Sequence, residues 1–331
     1  MAGAREATGL NATRMKTLTI WSNHGLSDAQ AARLRAALGP HRLLAGAEAT
    51  EAALADADIA FGQPPAAAAA ASPRLGWVHL SSAGYTSYSD PDIQAALGAK
   101  GAKLTTSSSV YAEPCAEHVL AFMLAWARQL PAALDAQRGQ RDWRQRELRQ
   151  RSVLLTEQRV VIFGFGSIGQ RLVEMLLPFT RSISGVRRKV RGDERIEVFT
   201  FDDPRVDERL SEAHHVVNVL PGARSTTRYF DAARLSRCAH GAVFYNIGRG
   251  ATVDQDALAE RLRSGALAAA LLDVTDPEPL PPEHALWAAP NCFITPHSGG
   301  GHHDEGERLL QHFIGNFERF TRQDALADRV L

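Results

Sequence analysis

Three residues in the second half of the chain have the types needed for one reaction. Arg249, Glu278 and His297 lie in NIGRGATVD (246–254), LLDVTDPEPLP (271–281) and ITPHSGG (294–300), segments that each follow a β-rich run. If those runs are parallel strands, their carboxyl ends share one edge, where ligands bind in open α/β sheets. A guanidinium fork can hold the carboxylate of a 2-keto acid and polarise its carbonyl. An imidazole can protonate the developing alkoxide near neutral pH, and a neighbouring carboxylate favours the imidazolium form. Taken singly, each has a plainer reading: an arginine on a surface turn, an acid in a proline-rich loop, a histidine capping the chain before a GG turn. Their order behind a glycine loop makes the joint reading the stronger one.

That loop is VVIFGFGSIGQRLVEML, with Gly164, Gly166 and Gly169 in GxGxxG spacing between a β-rich run and a helical one. The first glycine permits a tight turn, the second lets backbone approach a pyrophosphate, and the third allows close helix–strand packing. The helix start, with Ser167 and Ile168, then offers free N–H groups and a partial positive charge to phosphate. Beyond it comes ISGVRRKVRG (183–192), with Arg187, Arg188, Lys189 and Arg191. A site for NAD places an acid about 20 positions after the loop to bind the ribose 2′-hydroxyl, whereas an arginine there accommodates the 2′-phosphate of NADP. Here no carboxylate follows until Asp193 and Glu194. The expected cofactor is therefore NADP(H) in preference to NAD(H), with Arg187 and Arg188 on the phosphate and Lys189 and Arg191 adding a screened attraction.

The elements that must position these residues read as α/β throughout. Strand signals occur at 17–21, 57–62, 75–85, 102–108, 159–164, 214–220, 242–248, 269–275 and 292–295, with ISGV between the glycine loop and the cation cluster. Helical patterns occur at 27–38, with Ser27 or Asp28 as N-cap, and at 307–321. A helix over 115–130 is apolar nearly all round, which predicts burial between two bodies. The segment 138–151 is polar and cationic and reads as exposed. Lys plus Arg equals Asp plus Glu at 37 each, which argues against a nucleic-acid or membrane-surface protein. Cys115, Cys238 and Cys292 have no metal-ligand or disulfide spacing and read as small buried residues. No apolar run is long enough to span a bilayer and residues 1–14 lack an apolar signal core, so the expectation is a cytoplasmic protein with a loose extension, folding from about Lys16.

The chain resembles the D-isomer-specific 2-hydroxyacid dehydrogenases, particularly their glyoxylate/hydroxypyruvate reductase-like members. The resemblance runs from about residue 16 to the C-terminus through SSAG (81–84), AEHVLAFMLAWAR (116–128), GFGSIGQ (164–170), LPGARST (220–226), NIGRGATVDQDAL (246–258), DVTDPEPLP (273–281) and TPHSGG (295–300). It implies two Rossmann-like α/β domains. A parallel-sheet dinucleotide-binding domain, 121–299, is inserted into a discontinuous flavodoxin-like substrate domain, 1–120 and 300–331, with hinges near 115–130 and 296–300. It also implies that Arg249 binds substrate, that His297 is the acid/base and that Glu278 is its carboxylate. Asp273 would hold the nicotinamide carboxamide, and Leu220, Pro221, Thr226, Ile247 and Gly299 would line the cofactor. Ser82, Ala83 and Gly84 would meet the substrate carboxylate through backbone N–H groups, a role suited to small residues. The family's usual ribose aspartate aligns with Arg187. A small-molecule 2-keto or 2-hydroxy acid and a second copy of the chain are the implied partners. Two other readings share this scaffold: formate or phosphonate oxidation, whose extra Asn and Gln residues have no clear counterparts here, and a non-catalytic NAD(H)-sensing corepressor. The sequence departs from the family at GGGHHDEG, where Gly301, His302 and His303 stand in place of a common threonine; two adjacent histidines seldom make a metal site, and none is expected. Asp90, Trp143 and Trp287 are read as core or interface residues rather than site residues.

Overall fold

A computed structural model describes residues 16–331, and the extension expected over 1–14 lies outside the described residues. The first sheet contains β1 (Thr19–Ser22), β2 (Arg42–Ala45), β3 (Ile59–Gly62), β4 (Trp77–Leu80) and β5 (Lys103–Thr105), in the order β2-β1-β3-β4-β5. The second contains β6 (Val160–Phe163), β7 (Ile183–Val186), β8 (Glu197–Phe199), β9 (His215–Asn218), β10 (Ala242–Asn246), β11 (Leu267–Leu272) and β12 (Cys292–Ile294), in the order β12-β11-β10-β9-β6-β7-β8. All strand pairs are parallel. The first order is flavodoxin-like, and the second is the doubly wound dinucleotide-binding order with a seventh strand added. Strands β6, β7, β9 and β10 are buried along their whole length, as a sheet covered on both faces requires. In the second sheet the order reverses between β6 and β9, where Phe163 pairs with Asn218. The loops that begin at Gly164 and Val219 therefore leave the sheet side by side.

Two strands, β2 and β8, were not among the expected segments. Both are short edge strands, RLLA and EVF, each with an exposed first residue, so neither carries the apolar run that marks a central strand. The helix expected over 115–130 instead spans Ser108–Ala127 with Pro114 inside it, and Gln129, at φ 58°, breaks the chain before the next helix, Leu130–Arg138. Its apolar side packs into the core of the second sheet. Cys115, Ala116, Val119, Met123 and Ala127 share a core with Leu172, Val173 and Leu176 of the glycine-loop helix, Ser167–Leu176. The helix Glu305–Arg322 returns to the first sheet, where Leu310, Phe313 and Phe317 pack with Ile20, Phe61 and Trp77. Phe313 stacks on Phe61 with ring centroids 4.3 Å apart. Within 138–151 the helix Gln145–Arg151 buries nothing, as its composition implies. Among the described residues no helix is long and apolar enough to cross a membrane.

Candidate active site

The three glycines of the loop each meet a different constraint. Gly164 has φ +98°, and a β-carbon there would lie 2.6 Å from the Val219 carbonyl oxygen, so the turn between β6 and its helix excludes a side chain. At Gly169 a β-carbon would lie 2.8 Å from the Gly164 carbonyl oxygen, which fixes how closely helix and turn pack. At Gly166 nothing lies within 4 Å of that position. Gly166 lines a cleft, and the first N–H groups of the helix have no intrahelical acceptor. The loop borders a cleft of about 700 Å³ that is also lined by Ser167, Ile168, Arg187, Arg188, Lys189, Arg191, Leu220, Pro221, Thr226 and Ala83. These features fit a dinucleotide.

Arg249 follows β10 and is positioned by a buried amide network. Asn218 Nδ2 donates to Asn246 Oδ1 at 3.0 Å and to Thr252 Oγ1 at 2.7 Å, and Gly248 N donates to Asn246 Oδ1 at 3.1 Å. Thr252 Oγ1 and Asn246 Nδ2 both donate to the Arg249 carbonyl, at 2.6 and 3.2 Å. Leu220 N donates to Asn218 Oδ1 at 3.1 Å, which ties the loop after β9 to the same network. The Arg249 side chain then crosses towards the first sheet. A β-carbon on Gly84 would lie 1.8 Å from its Nη2, so the guanidinium occupies the space that any larger residue at 84 would fill. Burial lowers the pKa of the guanidinium, and the Glu278 carboxylate opposes the shift. The backbone N–H groups of Ala83 and Gly84 have no acceptor among the described residues.

Glu278 and His297 meet directly, with His297 Nδ1 2.8 Å from Glu278 Oε2. The second carboxylate oxygen accepts the Thr275 N–H at 3.1 Å, which orients the acid. His297 Nε2 has no hydrogen-bond partner among the described residues. His297 has φ +52°, a left-handed conformation held by its N–H donating to the carbonyls of Asp273 and Thr295 at 2.8 and 2.9 Å. A non-glycine residue held there is the kind of local strain that collects at functional sites. Asp273 is buried and occupied by the same turn. It accepts Thr295 Oγ1 at 2.7 Å and the N–H groups of Ser298 and Gly299 at 2.9 and 3.0 Å. Gly299 is close-packed, since a β-carbon there would lie 2.9 Å from Asp273 Oδ2. Ile247 is likewise buried, beside the Arg249 turn.

The cation cluster differs from expectation in one respect. Glu194, although beyond the strand, folds back so that Oε1 is 3.3 Å from Arg187 Nη1 while its oxygens accept the N–H groups of Arg191 and Gly192 at 2.8 and 2.7 Å. A carboxylate is thus available to Arg187, whereas the side chains of Arg188, Lys189 and Arg191 have no carboxylate partner among the described residues.

Asp90 caps the helix Pro91–Ala99 by accepting the Asp92 N–H at 2.8 Å. Trp143 is 88 % exposed and Trp287 52 %, so neither is a core residue. Cys115 and Cys238 are buried and Cys292 is half-buried, and burial pushes all three thiols up to about 12. His303 is exposed, and among the described residues no cluster of three or more His, Cys, Asp or Glu could hold a metal. Sequence reasoning missed Asn218, Asn246 and Thr252. An asparagine ending an otherwise apolar strand, as in HVVN and AVFYN, was the available signal. It also missed Tyr85, Thr106, Ser108 and Arg329 at the cleft, for which nothing local in the sequence speaks.

A sequence profile for the D-isomer specific 2-hydroxyacid dehydrogenase NAD binding domain matches residues 120–299. The human glyoxylate reductase/hydroxypyruvate reductase is 32% identical over 207 residues, which cover 62% of this chain and 62% of that enzyme. Glyoxylate/hydroxypyruvate reductase B of Pectobacterium atrosepticum is 30% identical over 242 residues, 70% of this chain and 71% of that one. Among solved structures, the D-isomer specific 2-hydroxyacid dehydrogenase of Xanthobacter autotrophicus Py2, in complex with NADPH and MES, matches with a TM-score of 0.80 and 26% identity over 95% of this chain and 98% of that chain. With two parallel sheets in these orders and the glycine loop at the switch point, the chain belongs to the D-isomer specific 2-hydroxyacid dehydrogenase family of NAD(P)-dependent oxidoreductases.

Proposed function

We propose that the protein reduces a small 2-keto acid of the glyoxylate or hydroxypyruvate kind to the D-2-hydroxy acid, using NADPH in preference to NADH. The bound dinucleotide supplies the hydride. Arg249 pairs with the substrate carboxylate and polarises the carbonyl, while the N–H groups of Ala83 and Gly84 donate from the opposite side. As the carbonyl carbon gains the hydride, the C=O π pair moves to oxygen and His297 Nε2 gives that oxygen its proton. Glu278 holds Nδ1 throughout and balances the imidazolium charge. The side chain of His297 is 50% exposed, so solvent can return the proton. In this reading residues 1–120 and 300–331 supply the substrate side and 121–299 hold the dinucleotide. The exposed apolar side chains of Leu130, Leu134, Trp143 and Leu154 favour a contact between two copies of the chain.

The observation that carries the chemistry is the His297–Glu278 contact at 2.8 Å on the same sheet edge as Arg249. The named relatives act on glyoxylate and hydroxypyruvate, and the Xanthobacter structure holds NADPH, which supports the choice of substrate class and cofactor. The test is His297→Ala. Glyoxylate-dependent NADPH oxidation should fall about 10²-fold or more, the contribution of a positioned general acid, with the dinucleotide Kd unchanged. A rate near wild type at neutral pH would remove His297 from the reaction.

A further inference from the structure

Residues 326–331 are fastened to the first sheet. Val330 N donates to Leu104 O at 2.8 Å, Leu104 N to Leu331 O at 3.2 Å and Thr106 N to Asp328 O at 3.0 Å, so the segment pairs with the edge strand β5. Two side chains fix its register. Asn316 accepts from Ala327 N at 2.8 Å and donates to Ala327 O at 3.1 Å. Asp328 Oδ2 accepts the N–H and hydroxyl of Ser109 at 2.8 and 2.7 Å and lies 3.2 Å from His312 Nε2. Burial opposes the ionised carboxylate, but the hydrogen bonds from His312 and Ser109 outweigh it and bring its pKa down to about 2.

The side chain of Arg329 adds one bond to this anchoring, on the Leu331 oxygen that also accepts Leu104 N. It is exposed, its Nε donates only to the Leu331 carbonyl at 2.8 Å, and it has no carboxylate side chain as a partner among the described residues. It lines the same cleft as the glycine loop, Arg188, Lys189 and Arg191. Four cations without acidic side-chain partners thus border one cleft from two sheets. Asp328, the one acid that borders it among the described residues, is already engaged. Like charges so arranged repel unless an anion lies among them. The location agrees with a phosphate. Ser108 Oγ is 3.2 Å from Ser167 Oγ, the first residue of the glycine-loop helix, and the adjacent Ser109 is what binds Asp328.

We infer that Arg329 is a phosphate-binding residue for the dinucleotide, contributed by the side of the cleft opposite the glycine loop. The inference rests on the dinucleotide reading of the cleft given above and adds to it a contact that neither the GxGxxG loop nor the Arg187–Arg191 cluster supplies. Cofactor binding would then draw the two sheets together through residues 327–330.

The experiment measures the Kd of NADPH and of NADH by calorimetry for the wild type and for Arg329→Ala, Arg329→Lys and Arg188→Ala. The Tm of each cofactor-free variant monitors folding. Loss of a charge-assisted hydrogen bond to phosphate should weaken NADPH about ten-fold in Arg329→Ala, with lysine recovering part of the loss and Tm unchanged. Equal weakening of NADH assigns the contact to the pyrophosphate, and weakening of NADPH alone assigns it to the 2′-phosphate. Wild-type Kd values for both cofactors in Arg329→Ala, while Arg188→Ala weakens NADPH, would overturn the role of Arg329 and leave the cleft reading intact. A wild type that binds neither dinucleotide would overturn both.

Discussion

Replacing Gly84 with alanine tests the placement of Arg249 while keeping the backbone N–H groups of Ala83 and Gly84. A β-carbon at residue 84 would lie 1.8 Å from Nη2 and 2.8 Å from Cζ of Arg249. Ordinary contact begins at 3.4 Å, so the guanidinium would have to retreat by 3.4 − 1.8 = 1.6 Å. The obstructing atoms are the far end of a flexible side chain, held by one bond from Nη1 to the Gly248 carbonyl at 2.6 Å, and the φ of Gly84 lies outside the left-handed region, so the backbone should accept alanine without strain. A 1 Å misplacement of a positioning group can cost on the order of 10²-fold in rate. A Gly→Ala change at an unstrained position stabilises by about 0.4–1 kcal/mol. We therefore expect kcat/KM for glyoxylate to fall on the order of 10²-fold, while Tm by scanning calorimetry is unchanged or slightly raised and the NADPH Kd stays the same. Wild-type kcat/KM in this variant would show that catalysis does not need Arg249 against residue 84, and the proposed carboxylate clamp would fail.

Glu194→Gln removes the charge that lies 3.3 Å from Arg187 Nη1 but keeps an oxygen for the N–H groups of Arg191 or Gly192. The preference for NADPH over NADH should rise several-fold in steady-state kinetics, and a fall would mean that Glu194 positions Arg187 rather than masking it. Acid stability is set in part by His79 and His215, whose pKa values burial lowers from 6.5 to about 3. The unfolded chain takes up these two protons below about pH 6.5 and the folded chain does not until about pH 3, so unfolding free energy should be flat above that window and decline as pH falls through it. Urea unfolding at pH 7 and pH 5 checks this, and equal stability at both would mean that the two imidazoles are not held neutral.

What the sequence disclosed was local. The glycine spacing, the three strand-end segments and the apolar runs of β6, β9 and β10 each carry their signal within about a dozen residues, and the fold places them as that signal implies. Edge strands β2 and β8 were not legible because half-exposed strands of three or four residues need no distinctive composition. The start of the helix Ser108–Ala127 was hidden by a serine run and by Pro114, which in isolation argues for a boundary. Contacts made by tertiary folding stayed invisible for a different reason. The turn that returns Glu194 to Arg187 depends on backbone N–H groups at 191 and 192. The presence of Arg329 at the cleft depends on pairing with β5, more than 200 residues earlier in the chain. The close approach of Arg249 to Gly84 needs both sheets in place, although the expectation of a small residue there was already readable.

The decisive measurement is the ratio of kcat/KM for NADPH and NADH in glyoxylate and hydroxypyruvate reduction at low ionic strength. Hydrogen bonds to a charged group contribute about 1.5–3 kcal/mol, so a 2′-phosphate held by Arg187 and Arg188 should favour NADPH by about ten-fold or more. That advantage should shrink as salt screens a partly exposed contact. Comparable efficiency with the two cofactors would return the arginine cluster to the surface, and failure of either keto acid to oxidise either cofactor would contradict the proposed reaction.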